Sequence, residues 1–341
     1  MEFHHFLLFV ASLLFGALGA WFICRWGNRL SLLDKANHRS SHDGVIPKGG
    51  GIGILVAFVF SALVLNFPAV FWLSISFVAL LSFYGDRNEL KPAIRLWVQF
   101  MAGVGLLLAL FYWEGRGWSA YMLIPVFSVF VVGTANYYNF MDGIDGIAGI
   151  TGIVAFGLIA LFGSFSGANE PLIILSGCMG FACLGFLPFN MPKARVFMGD
   201  VGSVLLGFVY AGLVVRLSHS LNDFVVLCAF LFPFYADELT TEYIRLRDGE
   251  NLLKPHRRHV YQLLANEMGI EHWRVSVGYG VLQLVVGIGA LVVREYGTLA
   301  VVGFLGFCFM GFSCFGYWVR KRSELTTAAI GQCRNIQNLN R

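Results

Sequence analysis

Four polar side chains recur at every third residue at the end of an apolar stretch: Asn136, Asn139, Asp142 and Asp145. On a helix, neighbours three residues apart share a face, so this spacing predicts a row of oxygen-bearing side chains. Hard oxygen ligands of this kind suit Mg²⁺ and a substrate that carries phosphate. The alternative is a helix cap or a polar turn, which would explain a single Asp-Gly pair but not four polar residues in this register.

In the segment 195–203, Asp200 lies between Gly199 and Gly202, where another apolar stretch begins. An aspartate in this setting could hold a metal ion while backbone N–H groups meet phosphate oxygens. Aspartate is also a common N-cap. On its own, the segment therefore leaves a metal ligand and a helix cap as equal alternatives.

Two loops beside apolar stretches add further candidates. Asp86 could act as a base or beside a metal, and Arg87 could contact phosphate, although a charged loop at a membrane surface is the alternative. The polar segment 37–42 is followed by the glycine-rich segment 47–51, where a turn with Lys48 could hold phosphate. Glycine is common in membrane helices, so this last signal is weak alone.

A fifth candidate combines His256, Arg257, Arg258 and His259 in one short run. Titratable and cationic side chains in sequence predict an anion-binding patch. The alternative is the ordinary positive charge of a membrane-protein loop. The two histidines argue against that alternative, because topology does not require histidine.

The composition indicates whether water or lipid surrounds the protein. The chain has 341 residues, of which 57% are hydrophobic and 13% are charged, and its mean hydropathy is +0.70. A soluble domain carries roughly 25% charged residues. A water-soluble fold could not bury this much apolar surface, so lipid must surround most of the chain.

We therefore predict an all-α, polytopic transmembrane protein of about 10–11 spans. The eleven candidate segments are 3–24, 50–67, 69–85, 95–113, 120–136, 147–165, 171–189, 201–217, 222–240, 273–293 and 298–319. The expected organisation is one transmembrane domain over residues 1–322, followed by a polar cytoplasmic tail over 323–341.

The distribution of charge predicts the orientation. Of the 24 Lys and Arg residues, 21 fall on the side of the long loops and 3 on the side of the N-terminus and the short turns. Cytoplasmic loops carry the positive excess, so the long loops and the C-terminus are expected in the cytoplasm and the N-terminus outside. Of the 20 acidic residues, 15 lie on that same side. Acid content does not set orientation, so we attribute this second bias to chemistry.

Taken together, these motifs resemble those of the polyprenyl-phosphate N-acetylhexosamine-1-phosphate transferases, glycosyltransferase family 4. Residues 136–146 match the family's Asn-x-x-Asn-x-x-Asp-Gly-x-Asp-Gly motif, and residues 197–203 match its next motif. Both are highly specific. Residues 47–51 match the family's first cytoplasmic loop, and the match extends from the second span to the loop after the ninth. The run 256–259 looks more like the branch that initiates O-antigen or enterobacterial common antigen than like the pentapeptide translocase.

The resemblance implies a role for each matched residue. Asp200 and Asn139 would hold the metal, and Asp86, Asp142 and Asp145 would be catalytic. The substrate-binding residues would be Lys48, Arg87, Asn136, His256, Arg257, Arg258 and His259.

The resemblance also implies a reaction, in which N-acetylhexosamine-1-phosphate moves from a UDP-sugar to undecaprenyl phosphate and UMP leaves. Mg²⁺, or Mn²⁺ in its place, would be the cofactor. The lipid bilayer would be the setting and nucleic acid would not be a partner. The expected location is the bacterial inner membrane, with the active site on the cytoplasmic face. A homodimer stays open, because family members are often dimeric and nothing in the sequence demands it.

Two alternatives stay open, and the first of them comes from a departure from the family pattern. The family usually has Asp-Asp at the end of the third span, whereas this chain has Gly85 before Asp86. A catalytically weakened member is therefore one alternative. A secondary transporter is the other, although transporters place their sites near the bilayer midplane between repeated helices, and no repeat is visible here.

Overall fold

The computed structural model describes residues 3–35, 44–88, 90–252, 254 and 256–339, and all eleven predicted segments are helical in it. The helices are α1 (Phe3–Trp26), α2 (Ile52–Val64), α3 (Ala69–Arg87), α4 (Pro92–Trp113), α5 (Trp118–Tyr121), α6 (Ile124–Phe140), α7 (Ile147–Ser166), α8 (Glu170–Asn190), α9 (Asp200–Leu217), α10 (Leu221–Ala229), α11 (Phe232–Arg247), α12 (Val260–Gln262), α13 (His272–Val293) and α14 (Thr298–Leu339). A π-helical turn (Leu263–Glu267) follows α12 and a 3₁₀ turn (Arg294–Tyr296) follows α13. Strands β1 (Leu33–Lys35) and β2 (Val45–Pro47) form an antiparallel hairpin.

The prediction of an all-α, polytopic membrane protein is confirmed. Within the described residues, eight helices are long and apolar enough to cross a membrane, and a bent pair adds a ninth. The predicted number of spans, 10–11, is higher than this count. The reason is that α2 has 13 residues and α6 has 17, whereas a straight span needs about 20.

Helix α9 is the centre of the bundle. Apart from Arg216, every residue that follows Asp200 in this helix is buried. A helix that is apolar all round must be enclosed by other helices, and α3 and α6 pack against it. The contact with α6 is close, because a Cβ atom built on Gly207 would lie 2.5 Å from the Cα of Ala135. The first residue of α9, Asp200, therefore lies in the middle of one end of the bundle.

The outer helices present apolar side chains to their surroundings. Trp97 on α4 is 69% exposed and Leu299 on α14 is 88% exposed. Water would penalise such exposure, whereas lipid does not. The polar segment at the end of the chain continues α14 as helix to Leu339.

The ninth predicted span is broken rather than continuous. Helices α10 and α11 meet at a bend of 85°. Pro233, at the start of α11, cannot donate a backbone hydrogen bond, and its ring opposes a continuous helix, which favours a bend at this point. Two side chains satisfy carbonyls at the break: Gln283 donates to Phe230 at 2.7 Å and Tyr210 donates to Leu227 at 2.5 Å.

The end of the bundle opposite Asp200 holds the three cationic side chains that the charge count placed there. Arg116 and Arg216 both pair with Glu114, and Arg216 does so at 2.5 Å. Arg294 pairs with Asp223 at 2.8 Å. Arg116 and Arg216 share one carboxylate, which offsets one of their two charges, whereas Arg294 and Asp223 pair one to one.

Candidate active site

The glycine-rich loop 47–51 pairs with the segment that precedes α9. The N–H of Phe197 donates to the carbonyl of Pro47 at 2.8 Å, and the N–H of Gly50 donates back to the carbonyl of Phe197 at 2.9 Å. The N–H of Gly51 donates to the carbonyl of Met198 at 2.9 Å. Two sequence motifs that lie about 150 residues apart are thus joined by backbone hydrogen bonds.

Glycine makes this close approach possible. A Cβ atom built on Gly51 would lie 2.4 Å from the Cα of Gly202. Gly199 has φ +72°, and a Cβ atom there would lie 2.7 Å from the amide nitrogen of Gly49 and 2.8 Å from a carboxylate oxygen of Asp86. Any larger residue at these positions would separate the loop from α9.

Asp86 connects the loop, α3 and α9. Its Oδ2 accepts a hydrogen bond from the backbone N–H of Asp200 at 3.1 Å, and its Oδ1 lies 3.5 Å from Nζ of Lys48. The Asp86 side chain is only 5% exposed. The predicted positions Lys48, Asp86 and Asp200 are therefore brought together.

The carboxylate of Asp200 is not a helix cap. The N-cap of α9 is Gly199, and Asp200 is the first helical residue. Its Oδ1 accepts a hydrogen bond from Nδ2 of Asn139 at 2.9 Å, and its Oδ2 pairs with Arg95. Asn139 also contacts Oγ of Ser203 at 2.9 Å. The cap alternative is thus wrong, and the Asp200 side chain, 25% exposed, is open to a ligand.

Asn136 lies one helical turn below Asn139 and faces α4. Its Nδ2 donates to Oε1 of Gln99 and to the carbonyl of Val132, both at 2.7 Å. Gln99 is buried. These contacts tie α6 to α4, and the predicted contact between Asn136 and substrate stays a prediction.

The two aspartates after α6 have different surroundings. Asp142 is half-buried. Burial raises its pKa well above its usual range, and the nearby charges of Asp200 and Asp86 raise the pKa further. Asp145 is buried, and its Oδ2 accepts a hydrogen bond from the N–H of Ala194 at 3.1 Å and lies 3.4 Å from Nδ1 of His272. We call Asp86 and Asp200, with Asp142 on the adjoining loop, the carboxylate centre. Asp145 instead anchors the loop that leads to α9.

The donor set suits a divalent cation by its chemistry. In the part of the chain that the structure describes, no three His, Cys, Asp or Glu side chains converge with the spacing of a complete metal site. However, Asp86 lies against Asp200, and the charges of both, after burial, help to raise the pKa of Asp142. Mg²⁺ takes one or two carboxylates and completes its shell with water and substrate phosphates, so a partial protein site is what this ion requires.

The predicted anion patch, residues 256–259, makes ion pairs with carboxylates of its own loop. Arg258 pairs with Asp248 at 2.7 Å and with Glu250 at 2.5 Å. His256 is half-buried, and burial, followed by the positive charges of His259 and Arg245, lowers its pKa to about 4. His256 is therefore neutral at pH 7 and contributes hydrogen bonds rather than charge.

His259 is buried among protein carboxylates. Its Nδ1 lies 3.7 Å from Asp237 and its Nε2 lies 3.7 Å from Glu238. Burial alone would lower the pKa of His259, but the carboxylates of Asp237 and Glu238 outweigh that effect and raise it. The imidazole is 4% exposed. It faces the protein interior, and its predicted contact with substrate stays a prediction.

An apolar groove opens on the outer surface of the bundle. It lies between α4 and α6 and has a volume of about 570 Å³. Its lining is almost entirely apolar: Leu96, Trp97, Phe100, Met101, Val104, Ile124, Pro125, Ser128 and Val129. Arg95, whose guanidinium pairs with Asp200, precedes the first lining residue in the chain. The chain therefore passes directly from a residue that pairs with Asp200 to the lining of the groove.

The family model described as "Glycosyl transferase family 4" matches residues 68–218. The undecaprenyl-phosphate alpha-N-acetylglucosaminyl 1-phosphate transferase of Yersinia pestis is 30% identical over 267 residues, which cover 69% of this chain and 70% of that protein. The chain belongs to glycosyl transferase family 4. Proteins with the same name from Escherichia coli K12 (29% identical, 75% of each chain covered) and Thermotoga maritima (28% identical, 72% of this chain and 76% of that protein) are also similar.

The family motifs and the geometry agree in part. Lys48, Asp86, Asn139 and Asp200 form one contact network, as the motifs predict. Arg87 is exposed at the end of α3, and its predicted phosphate contact stays a prediction. The polar segment 37–42 lies outside the described residues.

Two side chains of the site are not among the residues that the sequence motifs predict. Arg95 pairs with Asp200, and His272 lies beside Asp145. A signal for Arg95 was present, because a cation within an apolar stretch is costly and usually functional. His272 carried no such signal, since it is the first residue of α13 and follows a polar stretch of sequence.

Proposed function

We propose that this member of the family transfers N-acetylhexosamine-1-phosphate from a UDP-sugar to undecaprenyl phosphate, giving undecaprenyl-diphospho-N-acetylhexosamine and UMP. The product would start a cell-envelope polysaccharide such as O-antigen. The observation that carries the proposal is the position of Asp200 at the start of the central helix, held by Asn139 and adjacent to Asp86. The relatives' names make N-acetylglucosamine the first sugar to test.

The groove between α4 and α6 supports a lipid acceptor. A polyprenyl chain would lie along apolar side chains such as Trp97 and Met101, which are 69% and 57% exposed. Its phosphate would then reach Arg95 and Lys48 at the end of the groove. A soluble acceptor would have no use for an apolar groove on a lipid-facing surface.

The carboxylate centre supports Mg²⁺ as the cofactor, held by Asp200 and Asn139. When bound, the ion would offset the charge of the diphosphate. Asp142 would orient the nucleotide from the adjoining loop, and Asp145 would keep that loop in place through Ala194. Mn²⁺ has similar ligand preferences and would substitute.

The chemical step needs two anions to meet. An oxygen of the lipid phosphate attacks the β-phosphorus of the nucleotide sugar, and the bond between that phosphorus and the bridging oxygen breaks as UMP leaves. Lys48 lies 3.5 Å from Asp86 and would neutralise the acceptor phosphate, while Asp86 orients it or takes its proton. Arg95 would stabilise charge on the same side.

The patch 256–259 is the proposed contact for the donor phosphates or sugar, together with Arg87. His256 would donate or accept a hydrogen bond as a neutral side chain. Arg258 would exchange its carboxylate partners, Asp248 and Glu250, for a phosphate, which replaces one anion with another.

The proposed location is the inner membrane of a bacterium, with the site facing the cytoplasm and the N-terminus outside. The 21-to-3 distribution of Lys and Arg supports this orientation. We expect a cysteine at Phe140, which is 52% exposed, to resist a membrane-impermeant maleimide added to intact cells. A cysteine at Gly117 in an open turn on the opposite side should react. The reverse pattern would overturn the orientation.

The reaction itself is tested with purified protein in liposomes that contain undecaprenyl phosphate. A panel of UDP-sugars is supplied with Mg²⁺, and labelled lipid and UMP are measured. We expect both products in equal amounts with a UDP-N-acetylhexosamine, and neither product with EDTA present. Absence of a lipid product with every UDP-sugar would reject the transferase.

A secondary transporter is the second candidate, and the break between α10 and α11 favours it. Transporters build their sites from broken helices whose free backbone groups bind the ligand. Here the carbonyls of Phe230 and Leu227 at the break already accept hydrogen bonds from Gln283 and Tyr210, so fewer backbone groups are free to bind a ligand. Uptake of a UDP-sugar or of a lipid-linked sugar into the same liposomes, without UMP release, would support the transporter.

A further inference from the structure

Asp237 holds the beginning of α12 in place. Its carboxylate is fully buried and is surrounded by hydrogen-bond donors. They are Val260 N at 2.8 Å, Tyr261 N at 3.2 Å, Tyr279 Oη at 2.6 Å and Thr241 Oγ1 at 3.2 Å. A buried carboxylate with this many donors fixes the backbone that supplies two of them. The orientation of Tyr261 is thereby determined.

His259 supports the same side chain. Its ring stacks on the ring of Tyr261, with 5.7 Å between centroids and an interplanar angle of 17°. Its two nitrogens face Asp237 and Glu238. The histidine at the end of the anion patch thus packs against Tyr261 and lies within the interior.

Tyr261 reaches across to the helix that carries the asparagines. Its phenol is fully buried and donates a hydrogen bond to the carbonyl of Phe140 at 3.0 Å. Phe140 is the last residue of α6, directly after Asn139. Two residues further along the chain is Asp142. The phenol therefore meets the chain where the helix ends and the loop with Asp142 begins.

Gly143 provides the space for this phenol. A Cβ atom built on Gly143 would lie 2.2 Å from Oη of Tyr261, and 3.1 Å from Cζ. Gly143 is not among the glycines with positive φ, so its backbone would accept alanine without strain. The obstacle to a side chain at this position is therefore Tyr261 itself.

We infer that Tyr261 is a positioning residue, whose phenol sets the place of Asn139 and Asp142, and that Asp237 and His259 act on the reaction through Tyr261. The inference rests on the proposed function, because it assigns these residues to the same transfer. It explains why glycine stands at position 143, where a side chain would collide with the phenol. It also explains why a histidine in the anion patch is buried.

Three variants test the inference: Tyr261→Phe, Gly143→Ala and the double variant. Loss of the hydrogen bond in Tyr261→Phe should lower kcat about tenfold. Gly143→Ala should lower it about a hundredfold, since a displacement of about 1 Å in a positioned group can cost that much. The double variant should be at least about fivefold more active than Gly143→Ala, because removal of the Oη atom leaves only contacts of 3.1 Å and 3.2 Å. Melting temperatures of all three are measured alongside.

Gly157→Ala is the matched control, since a Cβ atom on this α7 residue meets nothing within 4 Å, and it should leave kcat unchanged. Losses that multiply in the double variant, or near-normal kcat in Gly143→Ala, would overturn the inference. If the wild-type protein transfers no sugar phosphate, the proposed function fails. The melting temperatures then still test the contact: partial recovery in the double variant supports it, and additive losses reject it.

Discussion

Replacement of Asp200 by asparagine is expected to lower turnover by about 10³-fold while the protein remains folded. Asparagine has the size of aspartate and can keep one hydrogen bond, but it removes a negative charge from the centre of the site. That charge pairs with Arg95, and in the proposed function it would hold the metal ion beside the diphosphate. Removal of one preorganised electrostatic group costs about 10²–10³ in rate, and loss of a metal ligand adds to this.

Asp223→Asn is the matched control. Asp223 also lies in the first turn of a helix and also pairs with an arginine, Arg294 at 2.8 Å, but at the opposite end of the bundle. This variant should lose some stability and keep its turnover per folded molecule. Turnover of Asp200→Asn within about threefold of the wild type would remove Asp200 from the proposed metal site.

Asp86→Asn is expected to lower turnover by about 10²-fold or more. The Asp86 carboxylate is almost fully buried, accepts a hydrogen bond from the N–H of Asp200 and pairs with Lys48. An amide in its place leaves the ammonium of Lys48 without a counter-ion and cannot take a proton from the acceptor phosphate. The measurement is initial rate against acceptor concentration, with the nucleotide sugar saturating.

The neighbouring residue provides the complementary test. A Cβ atom on Gly85 would meet only Leu90, at 3.4 Å, which is an ordinary van der Waals contact. Gly85→Asp restores the usual family pair. Because Asp86 already provides the carboxylate that contacts Lys48, we expect turnover within about threefold of the wild type. An increase of tenfold or more would support a catalytically weakened member instead.

The sequence predicted the helices well and their continuity less well. Apolar runs of about 20 residues are a strong signal, and each of the eleven segments is helical. The break before Pro233 was missed because the apolar residues on both sides form an uninterrupted run. Proline within such a run marks a break only when other groups, here Gln283, are available to bond the free carbonyls.

The site was predicted by residue type but not by partner. The spacing of Asn139 and Asp142 indicated oxygen ligands, and the structure places them beside Asp200, 58 or more residues away in the chain. Which cation each aspartate meets depends on how the helices pack, so Arg95 could not be assigned to Asp200 from the sequence. The burial of His259 could not be predicted from the sequence either, because a run of His and Arg has the same pattern whether it faces solvent or protein carboxylates.

The most direct test of the proposed reaction follows the β-phosphorus of the donor. UDP-N-acetylglucosamine, or whichever UDP-N-acetylhexosamine proves active, is labelled at the β-phosphate and incubated with Mg²⁺ and undecaprenyl phosphate in liposomes. If the protein transfers a sugar-1-phosphate, the label moves into the lipid fraction and the released nucleotide is unlabelled UMP. Label released as UDP, with sugar alone on the lipid, would contradict the account.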